Sequence, residues 1–169
     1  MTNLRIYPDP ILRDKALLIE DFDSDRLHYV VQLMANVIKE REAVGIAAPQ
    51  LGILEQIVLA NVEKESVSLI NPNIIDQRGN DTLEEGCLSI PGVEIEITRP
   101  NFVVVEGFDE QGQKKVIETT NLLAIVIQHE IDHLHGILII DKLNPVDRVR
   151  FDISWRRGEY EKGHPSRVL

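Results

Sequence analysis

Six consecutive apolar residues, Leu122 to Ile127, run almost directly into His129-Glu130-Ile131-Asp132-His133. Asn121 or Thr120 is placed to cap a helix over this stretch, and Gly136 to stop it just past His135. A helix that is apolar on every side has no face to give to water, so its first half must be buried. The rest of the chain must therefore wrap around it while accommodating ionisable groups at its far end. Residues at i and i+4 share one helix face, with Cβ atoms roughly 6 Å apart, so His129 and His133 can hold one metal ion. Imidazoles buried beside such an apolar run need a partner, and a metal supplies it. Glu130 projects beside them, within reach of a water on that metal.

Two ligands do not hold a catalytic metal, and the third could be a carboxylate or a thiolate. Cys87 is the only cysteine, so no internal disulfide can form. A lone cysteine reads either as a small buried apolar residue or as a ligand. Its setting, Glu84-Glu85-Gly86-Cys87-Leu88-Ser89, is not a simple apolar strand. A Cys, His, His set leaves one tetrahedral position open, the pattern of a catalytic site. His28, His135 and His164 read as ordinary surface or packing residues.

The remaining pattern predicts an α+β domain. Tyr7 to Arg13, with prolines on both sides of Asp9, should be extended or turning. Asp23 or Ser24 caps a helix whose apolar positions Leu27, Val30, Val31, Met34, Val37 and Ile38 fall on one face. Gly45 to Gly52 is loop or short strand. Strands are expected at Ile57–Val62, Val67–Ile70, Phe102–Phe108 and Lys115–Thr119. Val93 to Thr98 alternates, with Val93, Ile95 and Ile97 inward and Glu94 and Glu96 outward. Turns fall at Arg78-Gly79-Asn80 and Glu110-Gln111-Gly112. A last helix runs from about Pro145 through Trp155.

The net charge of −10 argues against a nucleic-acid substrate. No apolar run approaches the ~20 residues that span a bilayer, and the N-terminus lacks signal- or transit-peptide character. These features predict a cytoplasmic protein. No repeat or long linker divides the chain, which points to one catalytic domain over residues 1–169.

Three segments together resemble the peptide deformylase family in order and spacing: Gly45-Ile46-Ala47-Ala48-Pro49-Gln50, Glu85-Gly86-Cys87-Leu88-Ser89, and Gln128-His129-Glu130-Ile131-Asp132-His133. Tyr7-Pro8-Asp9-Pro10-Ile11-Leu12-Arg13 is also similar to the family's N-terminal segment. The resemblance implies antiparallel sheets packed around the buried helix that carries the HExxH motif, with a C-terminal helix. It implies Cys87, His129 and His133 as metal ligands and Glu130 as general acid/base. Gln50 and the Leu88 N–H would be oxyanion donors, and Val44, Gly45, Leu122, Ile125 and Val126 would bind substrate. It implies one divalent ion per chain, ferrous iron first, with zinc or nickel as alternatives. The substrate would be the N-formylmethionyl end of nascent peptides. Glu130 would take a proton from water, the resulting hydroxide would attack the formyl carbon, and the proton would return to the leaving amine.

One departure stands out. The family's first motif begins with glycine two residues before Gly45, where this chain has Ala43. If that position requires φ > 0, alanine is strained there. Glu85 reads either as a turn residue in water or, as the resemblance suggests, as a buried partner of Arg99. Glu94 and Glu96 read either as solubilising groups or as a preference for Lys or Arg after formyl-methionine. Arg148, Arg150, Arg156, Arg157, Lys162 and Arg167 form a basic C-terminal segment that could touch the ribosome. A zinc endopeptidase also uses HExxH, but its third ligand usually lies downstream. A purely structural metal site closes with four protein ligands.

Overall fold

The structure, a computed structural model, describes residues 4–63 and 65–159 and the backbone of 166–167. After a 3-10 turn at Pro10–Arg13, helix α1 spans Ser24–Arg41. The Asp23 carboxylate caps it by accepting from the Arg26 N–H, and the six residues expected on its apolar face are all buried. Strands β1 (Gly45–Ala47), β2 (Ile57–Val62), β3 (Glu65–Arg78), β6 (Phe102–Phe108) and β7 (Lys114–Thr120) form one sheet in the order β1-β2-β3-β6-β7, antiparallel throughout. Strands β4 (Asp81–Cys87) and β5 (Ile90–Arg99) form an antiparallel hairpin, and the short β8 (Ser166–Arg167) adds to β5 in parallel. Helix α2 covers Asn121–Leu134, and α3 covers Pro145–Arg157.

Helix α2 lies between the two sheets. Leu123, Ala124, Val126, Ile127, Ile131 and Leu134 pack against Val58, Ala60, Leu69, Val103 and Val105 of the larger sheet. A second cluster joins the buried face of α1 to β1 and β2 through Ile46, Ile57 and Leu59. The third joins the hairpin, through Ile90, Val93, Ile95 and Ile97, to Phe151 of α3 and to the 3-10 turn at Ile139–Lys142. Each fully buried Leu, Ile or Phe contributes about 1.5–3 kcal/mol, so the larger sheet anchors the apolar face of the helix that carries the histidines, while the hairpin reaches that helix through Cys87, Glu85 and Arg99.

Several expectations need correction. Leu122 is 42% exposed, so the apolar run is not buried all round. It sits where α2 meets an open cleft. Strand β3 does not end at Ile70 but continues through Pro72 to Arg78, with a register shift between Ile70 and Asn73. A bulge admits a proline that a regular central strand would reject. Strand β4 was not anticipated. Gly45–Gly52 resolves into β1 and a 3-10 turn at Ala48–Leu51. Ala43 is not among the residues with positive φ; the left-handed residue is its neighbour Glu42, at φ 53° and ψ 37°. Alanine therefore meets no backbone strain at position 43. Among the described residues, no helix is long and apolar enough to cross a membrane.

The basic C-terminal segment is partly neutralised from within. Arg148 pairs with Asp141 and Asp152, Arg150 with Asp147, and Arg157 with Glu159. The side chains of Lys162 and Arg167 lie outside the described residues, as does His164.

Candidate active site

The hairpin and α2 bring together the three residues that are far apart in sequence. One donor atom each from Cys87, His129 and His133 lies within 4.8 Å of the others. Cys87 Sγ is 3.3 Å from His133 Nε2. His129 directs its Nδ1 to Glu85 Oε2 at 2.9 Å, which leaves Nε2 for the shared centre. Cys87 ends β4, so the register of the hairpin with β5 fixes where its sulfur points. The donor chemistry fits a divalent metal: one thiolate and two imidazoles suit borderline ions, and three protein ligands leave a position open.

A chain of buried charges holds this arrangement. Arg99, at 6% exposure, forms a bidentate pair with Glu85 (2.5 and 3.0 Å) and donates to Asp132 at 2.8 Å. Lys142 reaches the same Asp132 oxygen at 3.1 Å. Burial alone would raise the Glu85 carboxyl, but the His129 and Arg99 hydrogen bonds outweigh it and keep Glu85 below its ordinary range. Outer carboxylates of this kind set the orientation and basicity of a ligating imidazole. Of the two readings of Glu85, the structure supports the buried partner of Arg99. Burial would also lower His129, yet hydrogen bonds to Cys87 and Glu85 hold it well above its ordinary range. Burial, with the nearby His129 and Arg99 charges, pushes His133 well below its own.

Glu130 is 4% exposed, and its Oε2 has no hydrogen-bond partner. Burial pushes its carboxyl up to about 7, and the Glu85 and Asp132 charges add to that rise. Gly45 of β1 packs against it. A Cβ at Gly45 would overlap the Glu130 carboxylate and come within 2.7 Å of Val126 Cγ1. The absent side chain is thus what lets β1 approach α2 so closely.

Gln50 is buried at the 3-10 turn after β1. Its Oε1 accepts from the Ala47 N–H at 2.8 Å. Its amide donates to Ser89 Oγ at 3.2 Å and to Cys87 Sγ at 3.6 Å. Leu88 lies with Ser89 in the tight turn between β4 and β5. The N-terminal segment straps both elements, because Arg5 N–H donates to Gln50 O and Tyr7 N–H to Ser89 O.

These groups open onto one cleft of about 1210 Å³. Its walls include Gln50, Cys87, Leu88, His129 and Glu130, and also every residue expected to bind substrate: Val44, Gly45, Leu122, Ile125 and Val126. Val44 is 45% exposed and Leu122 42%, apolar side chains left open to water at the cleft. His133 is not among the residues that line the cleft. His135 faces away, with Nδ1 on the Ile131 carbonyl at 2.9 Å. Sequence reading missed Ser89, Asp132 and Arg41 as parts of the site or its rim. Asp132 carried a usable signal, as a carboxylate three residues after His129 beside a buried arginine. Ser89 carried none.

The polypeptide deformylase family model matches residues 1–149. A peptide deformylase of Alkaliphilus metalliredigens is 44% identical over 140 residues, 83% of this chain and 95% of that protein. The crystal structure of a peptide deformylase from Legionella pneumophila superposes with a TM-score of 0.84 at 32% identity, covering 95% of this chain and 99% of that one. The peptide deformylase of Thermotoga maritima superposes with a TM-score of 0.82 at 36% identity, over 86% of this chain and 99% of that one. Sequence match and superposition agree over nearly the full length, and both include the hairpin and helix that build the site: the chain belongs to the polypeptide deformylase family.

Proposed function

We propose that this chain carries out its family's reaction, metal-dependent removal of the formyl group from N-terminal formylmethionine, with Glu130 as general acid/base. The observation that carries the assignment of roles is the Glu130 carboxylate: buried, lacking a partner for Oε2, and on the wall of the same cleft as the metal donors. A carboxyl near 7 is suited both to accept and to return a proton at neutral pH. Cys87, His129 and His133 would hold one divalent ion, with ferrous iron our assignment and zinc or nickel able to replace it. Such an ion supplies Lewis-acid chemistry, acidifying water and polarising a carbonyl.

Glu130 takes the proton from the attacking water and delivers it to the amine as the C–N bond breaks, giving formate and a free methionine N-terminus. The Gln50 amide and the Leu88 N–H donate to the oxygen on which negative charge develops. Losing one such donor typically costs ~10²–10³ in rate. Val44, Leu122, Ile125 and Val126 receive the methionine side chain, and Gly45 leaves room for the substrate backbone beside Glu130. The chain works as one catalytic unit in the cytoplasm. A transient, salt-sensitive ribosome contact through the C-terminal basic segment belongs to the same proposal. It would be removed by absence of co-sedimentation at low salt.

The decisive experiment is Glu130→Gln, assayed with formyl-methionyl peptides beside metal analysis. The amide can hydrogen-bond water but cannot take its proton. We expect full metal content and a loss of roughly 10²–10⁴ in kcat. Near-normal turnover with metal retained would remove Glu130 from the role.

A further inference from the structure

Ser89 stands where the two oxyanion donors meet, in the turn that joins β4 to β5. It is fully buried and is not among the residues that line the cleft, so it reaches a bound molecule only through a neighbour. Buried serines commonly spend the hydroxyl on backbone groups close in sequence. This hydroxyl instead lies 3.2 Å from the Gln50 amide nitrogen, 39 positions away in the chain. Gln50 does line the cleft.

A glutamine amide is planar, with one acceptor oxygen and two N–H donors. At Gln50 the Ala47 N–H settles which end is oxygen, because Oε1 accepts from it at 2.8 Å. One anchored atom still lets the amide pivot. Ser89 Oγ takes one N–H and removes that freedom. The other N–H is left facing Cys87 Sγ at 3.6 Å, on the side of the candidate metal ligands. Two protons thus meet two acceptors, and only the second can be handed to a new acceptor in the cleft. The same turn carries the Leu88 N–H, one residue before Ser89. Gln50 follows β1 at the edge of the five-stranded sheet, whereas Leu88 and Ser89 belong to the hairpin, so the Ser89–Gln50 bond ties together donors from different sheets. The N-terminal segment clamps the same pair, with Arg5 N–H on Gln50 O at 2.7 Å and Tyr7 N–H on Ser89 O at 2.8 Å.

We infer that Ser89 is a positioning residue of this site: its hydroxyl holds the Gln50 amide in the orientation that offers one N–H to the developing oxyanion. The inference rests on the deformylase reading and deepens it. An oxyanion donor acts only within about 2.7–3.1 Å of the place the charged oxygen will occupy. A misplacement of about 1 Å can cost roughly 10² in rate. Ser89 therefore controls the chemical step without touching the substrate.

The test is Ser89→Ala in the metal-loaded enzyme, assayed with formyl-Met-Ala-Ala-Ala. We expect kcat to fall about 10–10²-fold, while KM moves less than about threefold, because the lost orientation matters only once charge develops. The control is the same change made in Gln50→Ala. There it should alter kcat by less than about twofold, since residues that act as a unit are not additive. A second readout needs no turnover. In the zinc-loaded protein, the Gln50 side-chain amide signals are assigned by their loss in Gln50→Ala. They should exchange with solvent at least about tenfold more slowly than those of exposed glutamines, and Ser89→Ala should remove most of that difference. An undiminished kcat in Ser89→Ala, or an equal loss in both backgrounds, would overturn the inference. So would Gln50 amide protons that exchange in the wild type as fast as exposed ones, a result that stands even if Ser89→Ala does not fold. Absence of wild-type turnover with every formylated peptide would overturn the deformylase reading, while the amide signals would still test the Ser89–Gln50 bond.

Discussion

Two arginine–carboxylate networks brace this protein, and they differ chiefly in their access to water. At the active site, Arg99 joins Glu85 and Asp132, with arginine and glutamate side chains only 7% and 6% exposed. At the periphery, Asp141 takes Arg13 from the N-terminal turn and Arg148 from α3, and all three side chains are about 30% exposed. Both networks join segments distant in sequence, and both use one residue to bridge two. The buried one cannot lose a member without stranding a charge that has no water to turn to. The peripheral one can. Burial therefore converts similar contacts into very different constraints, and only the buried network reaches a candidate metal donor, through Glu85 and His129.

The strongest test of that contrast is Arg99→Met. It should destabilise the fold by about 3–5 kcal/mol, because the buried Glu85 carboxylate would lose its bidentate partner and keep only the His129 ring, while Asp132 would keep only Lys142. Denaturant unfolding measures it, and a loss below about 1 kcal/mol would erase the distinction between the networks.

A second variant separates charge from packing at the same site. Gly45→Ala leaves every ion pair in place but drives a methyl group into Glu130 and Val126. We expect a loss on the order of 10² in kcat/KM, the scale of a displaced catalytic group, with metal content retained. Normal kcat/KM would mean that β1 yields more readily than the packing indicates.

Glu85→Gln sharpens the comparison further by keeping a hydrogen-bond acceptor for His129 Nδ1 while removing the charge. Metal affinity in a competition titration should fall about 10–100-fold. Unchanged affinity would show that the buried network serves folding alone.

The smallest effect belongs to the periphery. Asp141→Asn should cost about 1 kcal/mol or less and leave neutral-pH activity intact. Burial tends to raise Asp141, but hydrogen bonds from Arg13, the Leu138 N–H and Arg148 outweigh it and hold its carboxyl below the ordinary value of 3.8. Its contribution is thus complete above the unfolded pKa and vanishes as pH falls through the lower folded one. Unfolding curves of wild type and variant should therefore converge in acid. A difference that grows in acid would reverse the sign.

How legible each region was in the sequence follows the same physics. Helix α2 and its two imidazoles were readable because i, i+4 spacing is a local property, and α1 because its apolar face repeats at helical period. Cys87 was readable only as one of two alternatives, since its meaning depends on a contact with α2 made 42 or more residues away. Strand β4 was invisible. Asp81-Thr82-Leu83-Glu84-Glu85-Gly86 has almost no apolar alternation, and the segment is extended because β5 pairs with it. Pro72 hid the second half of β3, where a bulge absorbs what a regular ladder would exclude. Leu122 followed the apolar pattern yet stands open to water, because the apolar wall of a cleft looks in sequence like more core.

The chain's single thiol has a practical consequence. Cys87 is the only sulfhydryl, and its sulfur faces His133 and the Gln50 amide within the candidate metal site. A thiol-reactive dye on the intact chain therefore reports on Cys87 alone. Slow labelling would register an occupied, reduced site, fast labelling an empty one, and absence of labelling after metal removal and unfolding a thiol lost to oxidation. One labelling time course of a preparation would then divide it into occupied, empty and oxidised sites before any substrate is added.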